Sequence, residues 1–453
     1  MTFRTATAIA ALLALGACSK SQDIDPESQF GPNPNLPEPT RGLLPNMHIP
    51  TVVGWGQGEA PTVPTGFKVQ KMASDLNNPR NVYALPNGDV LVVLSKKTTG
   101  ETVERPKDPV MAWMESQAHG AGGPPPKGKS NRIVLLRDAN GDGTPEMTSN
   151  FIDGLNAPFG IVLVGNDLYV ADTDAILRFP YTPGATQITA RPQLVTDLPA
   201  GPINHHWTKS LTASPDGSKL YVGVGSNSNI MESGPEAERG RASIWEVDPK
   251  TGFKREYATG LRNPNGLTFY PGSNTLWAVV NERDELGPNL VPDYMTSVKE
   301  GAFYGWPYTY WGQHPDERVH PQRPDLVKSA IMPDYSLSSH VAPLSLQFYT
   351  GSQFPAKFSG GAFVAEHGSW NRDLLNGYRV VYIKFENGRP VGDPMNFVWG
   401  FVGENGKARG RPVGLTMDRT GALIIADDAG NSVWRVSYAM KPFKVSGAQM
   451  TSF

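Results

Sequence analysis

The sequence predicts an all-β protein, a six-bladed β-propeller with loop insertions on one face, and three observations point to it. First, six stretches repeat one pattern: "LNNPRNVYALPNGDVLVVLS", "LNAPFGIVLVGNDLYVADT", "HHWTKSLTASPDGSKLYVGVG", "LRNPNGLTFYPGSNTLWAVV", "VAPLSLQFYTGSQFPAKFSGGAFVAEHG" and "GRPVGLTMDRTGALIIADDAG". In each, Asn-Gly, Asp-Gly, Gly-Asn or a related turn separates two alternating apolar runs, which is the signal of a β-hairpin. Second, the copies are spaced by about 65 residues, room for one four-stranded blade each. Third, no stretch sustains a helical period, so the crossover helices of a parallel α/β sheet are missing. A pair of β-sandwiches would also use hairpins, but it gives no reason for six equivalent units.

The elements follow in chain order. The chain opens with "MTFRTATAIAALLALGACSK", where Arg4 precedes an apolar run from Ala6 to Ala14 and then Leu15-Gly16-Ala17-Cys18. That run is too short to span a bilayer and reads as an export signal over residues 1–18 with a lipobox, Cys18 being the lipidated first residue of the mature chain. The expected location is the periplasmic side, with a membrane touched only through this anchor. Cys18 is the sole cysteine of the 453 residues, which leaves no disulfide to staple the fold. Residues 19–64, rich in Pro, Asn, Gly and Ser, read as a tether with no fold of their own. The propeller is expected over 65–440, with a tail at 441–453. Insertions at 96–130 and 286–342 would decorate one face. A formal charge of −2 argues against a nucleic-acid partner and suits a small neutral or mildly polar substrate.

In a propeller, the residues just ahead of each innermost strand converge on one funnel. His205 and His206 hold that place in the third copy, Arg262 and Asn263 in the fourth, His340 in the fifth, and Arg409 and Arg411 in the sixth. Together they would surround a pocket with a nitrogen base, an amide and several cations. Guanidinium forks pair bidentately with carboxylates, so this set suits a planar, polyanionic ligand. In "NERDELGPNLVPDY", Gly287, Pro288 and Asp293 lie on an irregular loop; backbone carbonyls with a carboxylate are hard oxygen ligands that suit Ca²⁺. The aromatics of "GAFYGWPYTYWGQ" read mostly as packing for an insertion. "DANGDGTPE", residues 138–146, spaces Asp138, Asn140 and Asp142 like the start of a calcium loop. Ser149 stands where an EF-hand needs its twelfth-position carboxylate, so a polar turn is the preferred reading.

Several longer motifs add a resemblance. "LRNPNGLTFYPGSNTLWAVVNERDELGPNLVPDY", "EGAFYGWPYTYWGQ", "FVAEHGSWNR" and "GRPVGLTMDRTGALIIADDAGNSVWRV" resemble the sorbosone dehydrogenase family, relatives of soluble quinoprotein glucose dehydrogenase and the bacterial aldose sugar dehydrogenases. The likeness runs from about Phe67 to Tyr438. It implies a six-bladed propeller that holds pyrroloquinoline quinone (PQQ) and Ca²⁺ and oxidises an aldose or sorbosone-like sugar, passing electrons to an acceptor the sequence does not name. It further implies His206 as the catalytic base, Arg262 and Asn263 at substrate and quinone, Arg409 and Arg411 on the cofactor carboxylates, and the carbonyls of Gly287 and Pro288 on Ca²⁺. Two departures stand out. His205 replaces the acidic residue that precedes the base in the glucose enzyme. The cofactor-contacting lysine has no lysine counterpart in "AEHGSWNR", where Arg372 or His367 is the available substitute. Two other functions use the same scaffold: a propeller binding module without a redox site, and a Ca²⁺-dependent propeller lactonase. The C-terminal arginine pair favours the quinoprotein over the lactonase, because a neutral lactone needs no such clamp.

Overall fold

The computed structural model of the protein describes residues 23–40, 46–97 and 128–439. The expected export signal with Cys18, most of the 96–130 insertion and the 441–453 tail lie outside the described residues. Within them, six antiparallel sheets of at least four strands form the six blades of a β-propeller.

Blade 1 runs through Pro79–Ala84, Val90–Leu94, Arg132–Arg137 and Met147–Ile152. Blade 2 starts at Gly160–Val164, blade 3 at Leu211–Ala213, blade 4 at Asn263–Phe269, blade 5 at Pro343–Phe348 and blade 6 at Pro412–Met417. These six first strands pack against one another around the axis and enclose a channel of about 150 Å³. Blade 6 takes its outermost strand, Phe67–Ala73, from the front of the propeller, pairing Phe67 with Tyr438 and so closing the ring.

The second strand of each blade shows why the hairpin pattern folds this way. In blade 1, Val90, Val92 and Leu94 pack towards blade 6 beside Ile424 and Val433. Their alternates Leu91 and Val93 pack towards blade 2 beside Leu168 and Val170. A strand buried on both faces must be apolar throughout, and each such side chain gains about 1.5–3 kcal/mol on full burial.

At the entrance to each first strand the chain repeats a short register. Pro79, Pro158, Thr208, Pro264, Pro343 and Pro412 correspond. The next residues are Arg80, Phe159, Lys209, Asn265, Leu344 and Val413, of which Phe159, Leu344 and Val413 meet in an apolar cluster across the axis. Of the predicted functional residues, His205, His206, Arg262, Asn263, His340, Arg409 and Arg411 sit just ahead of this register, whereas Gly287, Pro288, Asp293 and Arg372 lie on or beside later connections of blades 4 and 5.

Two expectations about loops resolve here. Asp138 accepts hydrogen bonds from the backbone N–H groups of Gly141, Asp142 and Gly143, and Asp142 from Thr144, so the 138–146 acids turn inward on their own loop as a polar turn. Tyr304, Tyr310 and Trp311 are buried in the blade 3–4 core, and Trp306 is buried with its Nε1 donating to the Asn229 carbonyl at 2.8 Å.

The segment expected to be a structureless tether is different. Its described parts lie on the propeller. Phe30–Gly31 adds a fifth strand to blade 4, Val52 bridges to Ala408, and Trp55 Nε1 donates to Asp427 at 2.6 Å. Polar and proline-rich composition argues against a core, but it does not forbid a strap held by single hydrogen bonds to a preformed surface.

Candidate active site

The site is built from blade entrances. His206 precedes blade 3, and its Nδ1 lies 2.7 Å from the Ser226 carbonyl. A carbonyl can only accept, so Nδ1 carries the proton and Nε2 presents a lone pair. Burial, with His205 and Arg262 nearby, holds the His206 imidazole well below its usual pKa and therefore neutral. The His205 ring meets it edge-on at 4.6 Å. Arg241, which the sequence reading did not single out, fixes the backbone here: it donates to the His206 carbonyl at 2.9 Å and the Gly225 carbonyl at 2.9 Å.

Blade 4 supplies the facing wall. Asn263 is buried, and its Oδ1 has no hydrogen-bond partner. Gly225 explains how it comes close to the histidine: a Cβ there would stand 2.4 Å from Asn263 Oδ1 and 2.6 Å from His206 Cβ, so only glycine fits between them. Arg262 is held from behind, Nη1 donating to the Glu282 carbonyl at 2.6 Å and Nη2 to Asn229 Oδ1 at 3.2 Å and Asp284 at 3.3 Å. Its Nε is buried and unpartnered.

Asp284 was not foreseen either. Besides Arg262, it accepts from Asn371 Nδ2 at 2.7 Å and lies 3.5 Å from His340 Nδ1. It thereby links blade 4 to the ends of blade 5. His340 is buried with a φ of 62°, and its Nε2 donates to the Gly287 carbonyl at 3.2 Å. The Pro288 carbonyl lies 3.1 Å from Ser339 Oγ. Each of these carbonyls keeps a second lone pair for another partner. Asp293, expected beside them as a metal ligand, is employed otherwise: its two oxygens accept the backbone N–H groups of Glu282 and Ala342 at 2.8 and 2.7 Å. Buried and bonded through both oxygens, it braces the loop, and burial raises its pKa. Among the described residues no cluster of three or more His, Cys, Asp or Glu side chains could hold a metal.

The expected arginine clamp is dispersed. Arg411 donates Nε and Nη2 to the carbonyls of His367 and Gly368 at 2.9 and 2.7 Å and stacks over Tyr378. Arg409 is half-exposed at the rim, 3.5 Å from Glu59. Arg372 is fully buried, donating to Ser339 Oγ at 2.7 Å and the Ile24 carbonyl at 3.1 Å. His367 Nε2 lies 3.0 Å from both oxygens of Asp428, which also pairs with Arg80 at 2.5 Å. Burial and Arg411 push His367 down to about 4.

A sequence profile described as TrAA12-like matches residues 130–308 and 325–439. The chain belongs to the TrAA12-like family. An uncharacterised protein of Borreliella burgdorferi is 30% identical over 294 residues, covering 63% of this chain and 76% of that one. The pyrroloquinoline quinone-dependent pyranose dehydrogenase of Coprinopsis cinerea is 24% identical over 365 residues, 71% of this chain but only 44% of its own length. The holo form of that enzyme's PQQ domain superposes with a TM-score of 0.65 at 20% identity, covering 83% of this chain and 97% of the domain. The calcium structure of the Trichoderma reesei member of carbohydrate-active enzymes family AA12 gives 0.64 at 18% identity, covering 84% and 97%. At such identities the superpositions establish a shared propeller, and this TrAA12-like chain is kin to PQQ-dependent sugar dehydrogenases.

Proposed function

We propose that the protein is an oxidoreductase that uses PQQ and Ca²⁺ to oxidise an aldose or a sorbosone-like sugar, exported to the periplasmic side and lipid-anchored at Cys18. One observation carries the reading: a neutral His206 with a proton-free Nε2, set across Gly225 from an unpartnered buried Asn263 Oδ1, with an unpartnered Arg262 Nε on the same wall. An unpartnered buried acceptor and donor beside the His206 lone pair at one blade entrance offer a polar ligand three points of attachment. That donor set fits a quinone and its sugar. The carbonyls of Gly287 and Pro288 fit a hard cation, and Arg372, Arg409 and Arg411 supply positive charge for the cofactor carboxylates.

Bound PQQ supplies a hydride-accepting centre and Ca²⁺ a Lewis acid. The chain supplies the rest. His206 Nε2 takes the proton of the hydroxyl on the carbon being oxidised, which a neutral imidazole can do at neutral pH. The Ser226 carbonyl holds the tautomer in which that lone pair is available. Arg262, fixed on two nitrogens, places positive charge where oxygen becomes negative, and Asn263 orients the reacting groups. The apolar floor of Phe159, Leu344 and Val413 keeps channel water from the reacting atoms.

Purified protein reconstituted with PQQ and Ca²⁺ should reduce an artificial electron acceptor when given aldoses or sorbosone. Lack of turnover across that panel, together with no change in quinone absorbance on mixing, would overturn the proposal.

A further inference from the structure

The N-terminal strap meets the loop that carries Gly287 and Pro288, and one buried side chain lies at the centre of that contact. Gln29 is fully buried. Its Nε2 donates to the Asn289 carbonyl at 2.7 Å and the Asn35 carbonyl at 3.2 Å. Its Oε1 accepts from Ser339 Oγ at 2.9 Å, Ser338 Oγ at 3.2 Å and Ser339 N at 3.3 Å. Ser339 Oγ in turn lies within reach of the Pro288 carbonyl and accepts from Arg372. One amide thus joins three parts of the site: the 287–289 loop, the 338–340 turn and Arg372.

The surrounding strap supports the same loop. The Ile24 N–H donates to Asn289 Oδ1 at 2.9 Å, and the Thr40 N–H to the Leu286 carbonyl at 3.0 Å. Gly287 has a φ of +97°, and a Cβ on it would stand 2.1 Å from Thr40 Oγ1, so the strap closes over the space that a side chain would take. Ser338 and His340 both hold positive φ, a backbone that persists only where surrounding contacts over-determine it. Gln29 supplies such contacts.

We infer that the N-terminal strap is a working part of the cofactor site and that Gln29 is a positioning residue. It sets the direction of the Gly287 and Pro288 carbonyls, and with them the affinity for a divalent cation. This rests on the reading of those carbonyls as Ca²⁺ ligands given above. Groups that orient ligands from behind typically change metal affinity by about 10- to 100-fold when removed.

The test titrates Ca²⁺ into full-length protein with PQQ, following quinone absorbance, and measures hydrogen–deuterium exchange of residues 286–291 and 338–342 in the metal-free protein. Gln29→Ala should raise the Ca²⁺ concentration for half-maximal PQQ binding by about tenfold or more and speed exchange in both segments. Gln29→Glu keeps the acceptor for Ser338 and Ser339 but loses the donor to Asn289. It should speed exchange at 286–291, spare 338–342 and still weaken Ca²⁺ binding, and it provides the test should the alanine variant fail to fold. Equal half-saturation in wild type and variants, or unchanged exchange at 286–291, overturns the inference. Failure of the wild type to bind PQQ at any Ca²⁺ concentration overturns instead the function proposed above, and the exchange measurement then still decides whether Gln29 holds the loop.

Discussion

Between blades 3 and 4, polar side chains are fixed from behind and left open in front. His206 is bonded through Nδ1 and Arg262 through Nη1 and Nη2, while Asn263 Oδ1 and Arg262 Nε have no partner. On the arc from blade 5 through blade 6 to blade 1, several half-buried groups are matched to one another, although Arg80 Nε, Glu366 Oε1, Arg372 Nε and Arg379 Nη2 have no hydrogen-bond partner. Arg411 forks two carbonyls, and Asp428 joins His367 to Arg80. The contrast separates two uses of buried polarity. An unmatched acceptor at a blade entrance destabilises the fold until a ligand completes it; a matched network holds blades together.

If that division is right, substitutions on the two arcs should have opposite signatures. The largest effect is expected at Asp428. Burial opposes its charge, yet His367 and Arg80 outweigh that and hold the carboxyl low. Asp428→Ala leaves the Arg80 guanidinium without its counter-ion and the neutral His367 without its acceptor, and breaking a buried pair costs about 3–5 kcal/mol. Calorimetry should show a large fall in the unfolding midpoint; a midpoint within a degree or two of wild type, roughly 1 kcal/mol or less, would erase the contrast.

Asn263→Ala should behave the other way. Leaving a buried acceptor unsatisfied costs about 1–3 kcal/mol, so its removal should hold or raise the midpoint while turnover drops. A fall in stability with turnover intact would assign Asn263 to the structural arc.

The smallest effect is a pH dependence. His367 is held at about 4, below the ordinary 6.5. The unfolded chain then binds a proton that the folded chain refuses, so this contribution is present above about 6.5 and is lost as pH falls towards about 4. The midpoint difference between wild type and His367→Gln should shrink steadily over that window. A difference that stays flat with pH would mean that His367 is protonated in the fold.

The sequence carried the propeller because hairpin turns and two-sided apolar strands are local signals repeated six times. It also placed His206, Arg262 and Asn263 together, since residues ahead of an inner strand must converge on the axis once the ring closes. What it missed is long-range and unrepeated. Gln29 finds Asn289 across 260 positions of sequence, and no period or composition announces such a bond. Likewise, nothing local tells which acid of "NERDELGPNLVPDY" faces the pocket. Asp293 turns to backbone donors and Asp284 to Arg262 and Asn371 because of where blade 5 packs, which is a tertiary fact. The surroundings of the arginines were hidden for a related reason: spacing placed Arg409 and Arg411 at a blade entrance but could not show that carbonyls and Glu59 already engage them.

The account turns on His206 as the group that removes the substrate proton. Rapid mixing of sugar with protein preloaded with PQQ and Ca²⁺, without any electron acceptor, isolates that step by following the quinone spectrum in a single turnover. His206→Ala should bind the quinone as wild type does yet reduce it about 10²- to 10⁴-fold more slowly, the usual contribution of a positioned base. Reduction at the wild-type rate in that variant would contradict the account.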